Sequence, residues 1–182
     1  MFIRFRSRLG EGPYYQVELQ LHFAGDDPDA FQYMTVELDG QHMPHAVHTF
    51  LSQVNAGAYN SQDDSSSKNP AFAFHHTGIH IIFGSPYEQD SDARIPRLLF
   101  QEYSEQVPHQ AYTMGWSGMG PNLYFNVRDN TGDHGAIRDP CFGKVTRGEE
   151  VVNLIHGAAG ELEEDDWKEL PAHVLIVSIV IV

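Results

Sequence analysis

The sequence predicts a mainly β protein, a closed eight-stranded antiparallel barrel capped by two α-helices. Three observations carry that expectation. Short stretches of apolar and strand-forming residues, several alternating with polar ones, recur along the chain between glycine, proline and aspartate turn signals. Two segments instead place apolar residues at helical spacing. The tally of about eight strands and two helices, with antiparallel turns and no internal repeat, favours closure, because a closed barrel leaves no sheet edge exposed.

In chain order the first element is 14–23, where Tyr15, Val17, Leu19, Leu21 and Phe23 share one face of a half-buried strand. A turn cluster at 25–29 leads to 33–38, with Met34, Val36 and Leu38 on one face, and the two strands are expected to form a hairpin. Pro44 suits the first turn of a helix, where its missing amide is not needed. Val47, Phe50, Leu51 and Val54 then recur at i, i+3, i+4 and i+7, and Gly57 stands where a C-terminal cap belongs. His45 and His48, with His42 nearby, fall on the solvated side of that helix.

Residues 61–69 are rich in serine and acid and read as a surface loop. Residues 71–76 and 79–83 read as two short strands, or as one strand bent at Gly78. Residues 87–97 are loop, and Leu98-Leu99-Phe100 is a short apolar anchor. The stretch 112–152 is the most informative: a strand at 112–115, a glycine-rich turn at 116–121, a strand at 123–127, a long polar loop at 128–140, a strand at 141–145 and a helix around 151–155. A loop of that length within a compact domain is often functional. Residues 157–171, with the acidic run 161–166, read as solvated loop, and 174–182 as a buried closing strand.

Composition narrows the function. At 182 residues, with 41% hydrophobic and 12% aromatic content, the chain is expected to form one domain spanning 1–182, its first twelve residues a flexible arm. A formal net charge of −14 opposes nucleic-acid or anionic-lipid binding, despite Arg4, Arg6 and Arg8. The single cysteine, Cys141, excludes an internal disulfide and a CxxC zinc site, and reads as a buried, inert thiol. No run reaches the ~18 apolar residues of a membrane span. No cofactor is expected, a monomer is, and the compartment is left open.

Several ordered pieces resemble the cyclophilins, the peptidyl-prolyl isomerase family with an eight-stranded barrel and two helices. Thr35-Val36-Glu37-Leu38 followed by 43–51 resembles the family's second strand and first helix, and Gly57-Ala58-Tyr59-Asn60 its exit. Phe74-His75-His76 stands where the family has Phe-His-Arg, and 78–86 where it has Gly-Phe-Met-x-Gln-Gly-Gly-Asp-Pro. Phe142-Gly143-Lys144-Val145, Gly148 and Val151-Val152 resemble its late strand and second helix.

The resemblance implies a proline groove whose working groups are substituted. Prolyl bonds isomerise unaided in tens to hundreds of seconds over a barrier of roughly 18–20 kcal/mol. Cyclophilins lower the barrier with an apolar proline pocket and an arginine that donates a hydrogen bond to the prolyl nitrogen. Here His76 occupies the arginine position and Ile82 that of a neighbouring glutamine. Ile79, His80 and Phe125 match pocket positions, Leu123 that of a second glutamine, and Trp116 and His134 the rim. Histidine is shorter than arginine and mostly neutral near pH 7. Weak or absent isomerase activity is therefore expected, with binding of a proline-containing peptide or protein retained. An active isomerase with an altered site and a structural domain of a larger protein are the alternatives; a groove filled by Trp116 favours the latter. His76, His80, His134 and Asp139 also form a candidate metal cluster, although their spacing matches no established motif.

Overall fold

The structure, a computed structural model, describes residues 14–27, 29–60, 72–86, 97–163 and 166–182. The expected arm at 1–12, the loop at 61–69 and all but Arg97 of the loop at 87–97 lie outside the described residues. The strands are β1 (Tyr14–Phe23), β2 (Phe31–Asp39), β3 (Phe72–Gly78), β4 (Ile81–Pro86), β5 (Thr113–Trp116), β6 (Leu123–Asn126), β7 (Cys141–Arg147) and β8 (Trp167–Ile181), with helices α1 (Pro44–Asn55) and α2 (Glu149–Gly157). The strands close in the order β1-β2-β7-β5-β6-β4-β3-β8, every pair antiparallel. The predicted eight-stranded barrel with two helices is what forms.

Alternation builds the core directly. Val17, Leu19 and Leu21 of β1 and Met34, Val36 and Leu38 of β2 are all fully buried or nearly so, and the hairpin register sets Val17 opposite Val36 and Leu19 opposite Met34. α1 lays Ala46, Val47, Phe50, Leu51 and Val54 on the core, with the Phe50 ring against Tyr59, Trp116 and Phe142. His45 and His48 stay exposed, as a solvated helix face requires. α2 buries Val151, Val152 and Ile155 and carries Glu149 and Glu150 in its first turn, where the helix dipole favours carboxylates.

Two expectations change. β8 begins at Trp167 and not at 174, so the last third of the loop expected at 157–171 is strand. Pro171, which masked this, sits where the β3–β8 register jumps from Phe74–Val174 to His76–Glu169; no ladder amide is needed there. In the apolar segment at 98–100 only Leu98 anchors, at 6% exposure, whereas Leu99 is 97% and Phe100 48% exposed.

Candidate functional site

The register jump in β3 shapes the outer surface of the barrel. Phe72 and Phe74 point into the core, and the ladders on both sides of β3 skip His75. This bulge leaves His75 and His76, side by side and half-buried, outside the core. The Nδ1 atoms of the two rings face each other in hydrogen-bond contact. His75 Nε2 reaches Ser85 Oγ at 2.6 Å. His76 stacks on the indole of Trp167, centroids 5.9 Å apart and planes 12° from parallel. Phe83 meets the same indole edge-on at 5.7 Å, and His173 lies 6.1 Å from His75. Burial, with the adjacent His76 and His173, pushes the His75 ring down to about 4, opposed in part by Glu169. β3, β4 and β8 thus carry an aromatic and histidine cluster around His76, the residue that the sequence resemblance sets against the family's arginine.

The other expected groove residues divide. Ile79 and His80 form the tight turn between β3 and β4 and are half-buried; the His80 carbonyl accepts the Val127 amide at 2.7 Å. Ile82, Trp116, Leu123 and Phe125 belong instead to the hydrophobic core, each at 0–1% exposure. The Phe125 ring packs on Phe74 at 5.6 Å and Trp116 on Phe142 at 4.9 Å. Trp116 therefore fills the barrel interior. The physical reason is the two-residue period of a strand: with Leu123 and Phe125 turned inward, Tyr124 and Asn126 turn outward, and a shift of one residue exchanges the two sets.

Tyr124 occupies the outer position. Its ring lies between His109, at 6.1 Å and 23°, and His134, at 4.7 Å and 35°. Gly115 makes room for it, since a Cβ there would fall 2.3 Å from the Tyr124 hydroxyl. Burial raises the Tyr124 phenol well above its ordinary range, and lowers the His109 ring with help from His134. The loop after β6 is pinned over this layer by Asp139, which is 1% exposed. One carboxylate oxygen contacts His134 Nδ1; the other accepts the Gly118 amide at 2.8 Å and Gln101 Nε2 at 3.2 Å. Cys141 is buried beside it, its thiol pushed up to about 12 by burial, so it is no nucleophile near neutral pH.

His134 and Asp139 form one pair and His76 belongs to the His75–Trp167 cluster. Among the described residues no group of three or more His, Cys, Asp or Glu is arranged to hold a metal ion. A hollow of about 180 Å³ lies elsewhere, beside Tyr14, Glu37, Asp39, Pro108 and Lys144, and is smaller than the ~300 Å³ at which ordinary ligand pockets begin. Among the described residues no helix is long and apolar enough to cross a membrane. Residue-level reading missed His75, Phe83, Tyr124, His173 and above all Trp167. The usable signals were the His75-His76 doublet and an isolated tryptophan after an acidic run.

No family model matches the sequence, and no curated protein does. Among solved structures, a cyclophilin-type peptidyl-prolyl cis-trans isomerase of Cryptosporidium parvum is similar, with a TM-score of 0.66 at 14% identity over 93% of this chain and 98% of that one. A cyclophilin-type isomerase structure of the same organism in the presence of the dipeptide Ala-Pro gives 0.64 at 15% identity over 92% and 98%. Barrel closure, strand order and this likeness together make the fold cyclophilin-like.

Proposed function

We propose that this protein is a binding module on a cyclophilin-like barrel, taking a proline-containing peptide or protein segment on the outer face of β3 and β4, with weak or no isomerase activity. The observation that carries the reading is the setting of His76. Where the family places a free guanidinium, this chain has an imidazole bonded to His75 and stacked flat on Trp167. That ring lacks the rigid fork of always-charged donors that an arginine presents to a prolyl nitrogen. The aromatic surface around it suits proline, whose extended segments dock on exposed rings. The Ala-Pro dipeptide present with the related isomerase supports the same ligand class. The −14 charge favours a monomer that does not engage nucleic acid.

The test is NMR exchange spectroscopy on an X-Pro peptide with the purified protein, combined with amide shift mapping. Shifts around His76, Ile79 and His80 without accelerated exchange are expected. Acceleration at the rate of an ordinary cyclophilin would return the protein to the enzymes. A second reading, a structural domain of a larger protein, draws on Tyr124, whose fully buried ring fills the space between His109 and His134 on the outer side of β6; it expects no shifts with any peptide.

A further inference from the structure

Trp167 is 51% exposed, unusual for so large an apolar side chain, yet its orientation is fixed. Gly78 lies directly beneath it, and a Cβ on Gly78 would come within 2.9 Å of the indole. His76 stacks on the ring at 12° and Phe83 meets it edge-on at 64°. A half-exposed indole already held in place loses little freedom when a ligand covers it, which favours binding. Its flat face and the neighbouring rings match the surfaces on which extended proline segments dock.

The charges beside it select further. Glu161 and Glu163 precede it and are exposed; Glu169, opposite His76 in the β3–β8 register, has a side chain 70% exposed. Lys168 is already engaged, 3.3 Å from the Asp166 carboxylate and donating to the Glu161 carbonyl. The surroundings attract cations, in line with the charge of the whole chain.

We infer that Trp167 is the docking platform of this face and that its occupant is a proline-containing segment flanked by lysine or arginine. The inference rests on the peptide-binding reading above and names the residue and the partner chemistry.

Three labelled synthetic peptides test it by fluorescence anisotropy: prolines flanked by lysines, the same prolines flanked by glutamates, and the lysine peptide with alanine for proline. The lysine-proline peptide is expected to bind best and to weaken with added salt. Trp167→Ala is expected to weaken it by about tenfold or more, the size of an aromatic anchor lost, and Trp167→Phe by less. The wild type should also change its tryptophan emission on binding, and Trp167→Phe should not, because Trp116 is buried at 1% exposure. An unchanged amide spectrum in both variants controls for folding. Equal binding by Trp167→Ala overturns the inference while leaving peptide binding intact. Equal binding of the glutamate peptide overturns the partner chemistry. A concentration-dependent emission change without peptide gives the face to a second copy and overturns it too. If no peptide binds the wild type, the peptide-binding reading itself fails and this inference with it.

Discussion

Phe74 and Phe125 meet inside the barrel with ring centroids 5.6 Å apart, so a residue that the resemblance assigns to a pocket wall is a core residue. Phe125→Ala should therefore behave as a core truncation, costing about 3–5 kcal/mol. Equilibrium urea denaturation reads this directly. A loss under about 1 kcal/mol, typical of surface changes, would put the ring back on the rim.

A second expectation concerns placing a guanidinium at His76, where the proposed reading finds the family's arginine replaced. His76→Arg returns the donor but not the pocket, because Ile82, Leu123 and Phe125 stay in the core. The new side chain is also offered the Trp167 indole as a cation–π partner. Prolyl exchange on a model peptide should remain on the unaided scale of tens to hundreds of seconds. Exchange restored by this one substitution would mean that an apolar proline seat exists elsewhere on the face.

The two aromatic faces of β6 show what the sequence could and could not reveal. Strands with one polar and one apolar face, such as 14–23, were legible because only one orientation buries the apolar set. In β6 each face carries an aromatic ring, Leu123 and Phe125 on one and Tyr124 with Asn126 on the other, and all four residues are buried, so periodicity could not choose between them. The helix at 44–55 was legible from Pro44 and Gly57, whose backbone turns to a φ of +67°. The start of β8 was hidden because Pro171 and the acidic run carry loop chemistry, and only the bulge opposite His75 makes room for that proline. Trp167 was lost with it, since a partner 91 positions away in the chain is what makes it part of a site.

Acid should loosen the β3–β8 cluster. Folding lowers the His75 ring from 6.5 to about 4, chiefly through burial and then through His76 and His173. Between those values the unfolded chain binds a proton that the folded chain refuses, so this contribution is intact above pH 6.5, declines as pH falls, and levels off near 4. Because the ring is partly solvated, the full shift overstates the effect, and about 1–2 kcal/mol is expected after screening. His75→Gln should flatten the fall in urea midpoint between pH 7 and 4.5 relative to wild type. His109 and His156 are lowered in the same direction and remain in both proteins, so the difference isolates His75. Parallel pH profiles for the two proteins would refute the assignment.

The start of α1 depends on a residue distant in sequence. Met43 at the N-cap provides no side-chain hydrogen bond and Pro44 has no amide to offer. The next two amides, of His45 and Ala46, donate to the carboxylate of Glu102 at 3.2 and 2.7 Å. A carboxylate here satisfies two orphan donors and meets the positive end of the helix dipole. Glu102→Ala should cost about 1–2 kcal/mol, the range of a lost N-cap, lowering the melting temperature by about 2–8 °C for a chain of this size. Hydrogen exchange gives the specific readout: the amides of His45 and Ala46 should lose protection, while those of the β1–β2 ladder change only by the global loss in stability. Unaltered exchange at both amides would show that water serves the helix start equally well, and that Glu102 does not tie the 98–106 segment to α1.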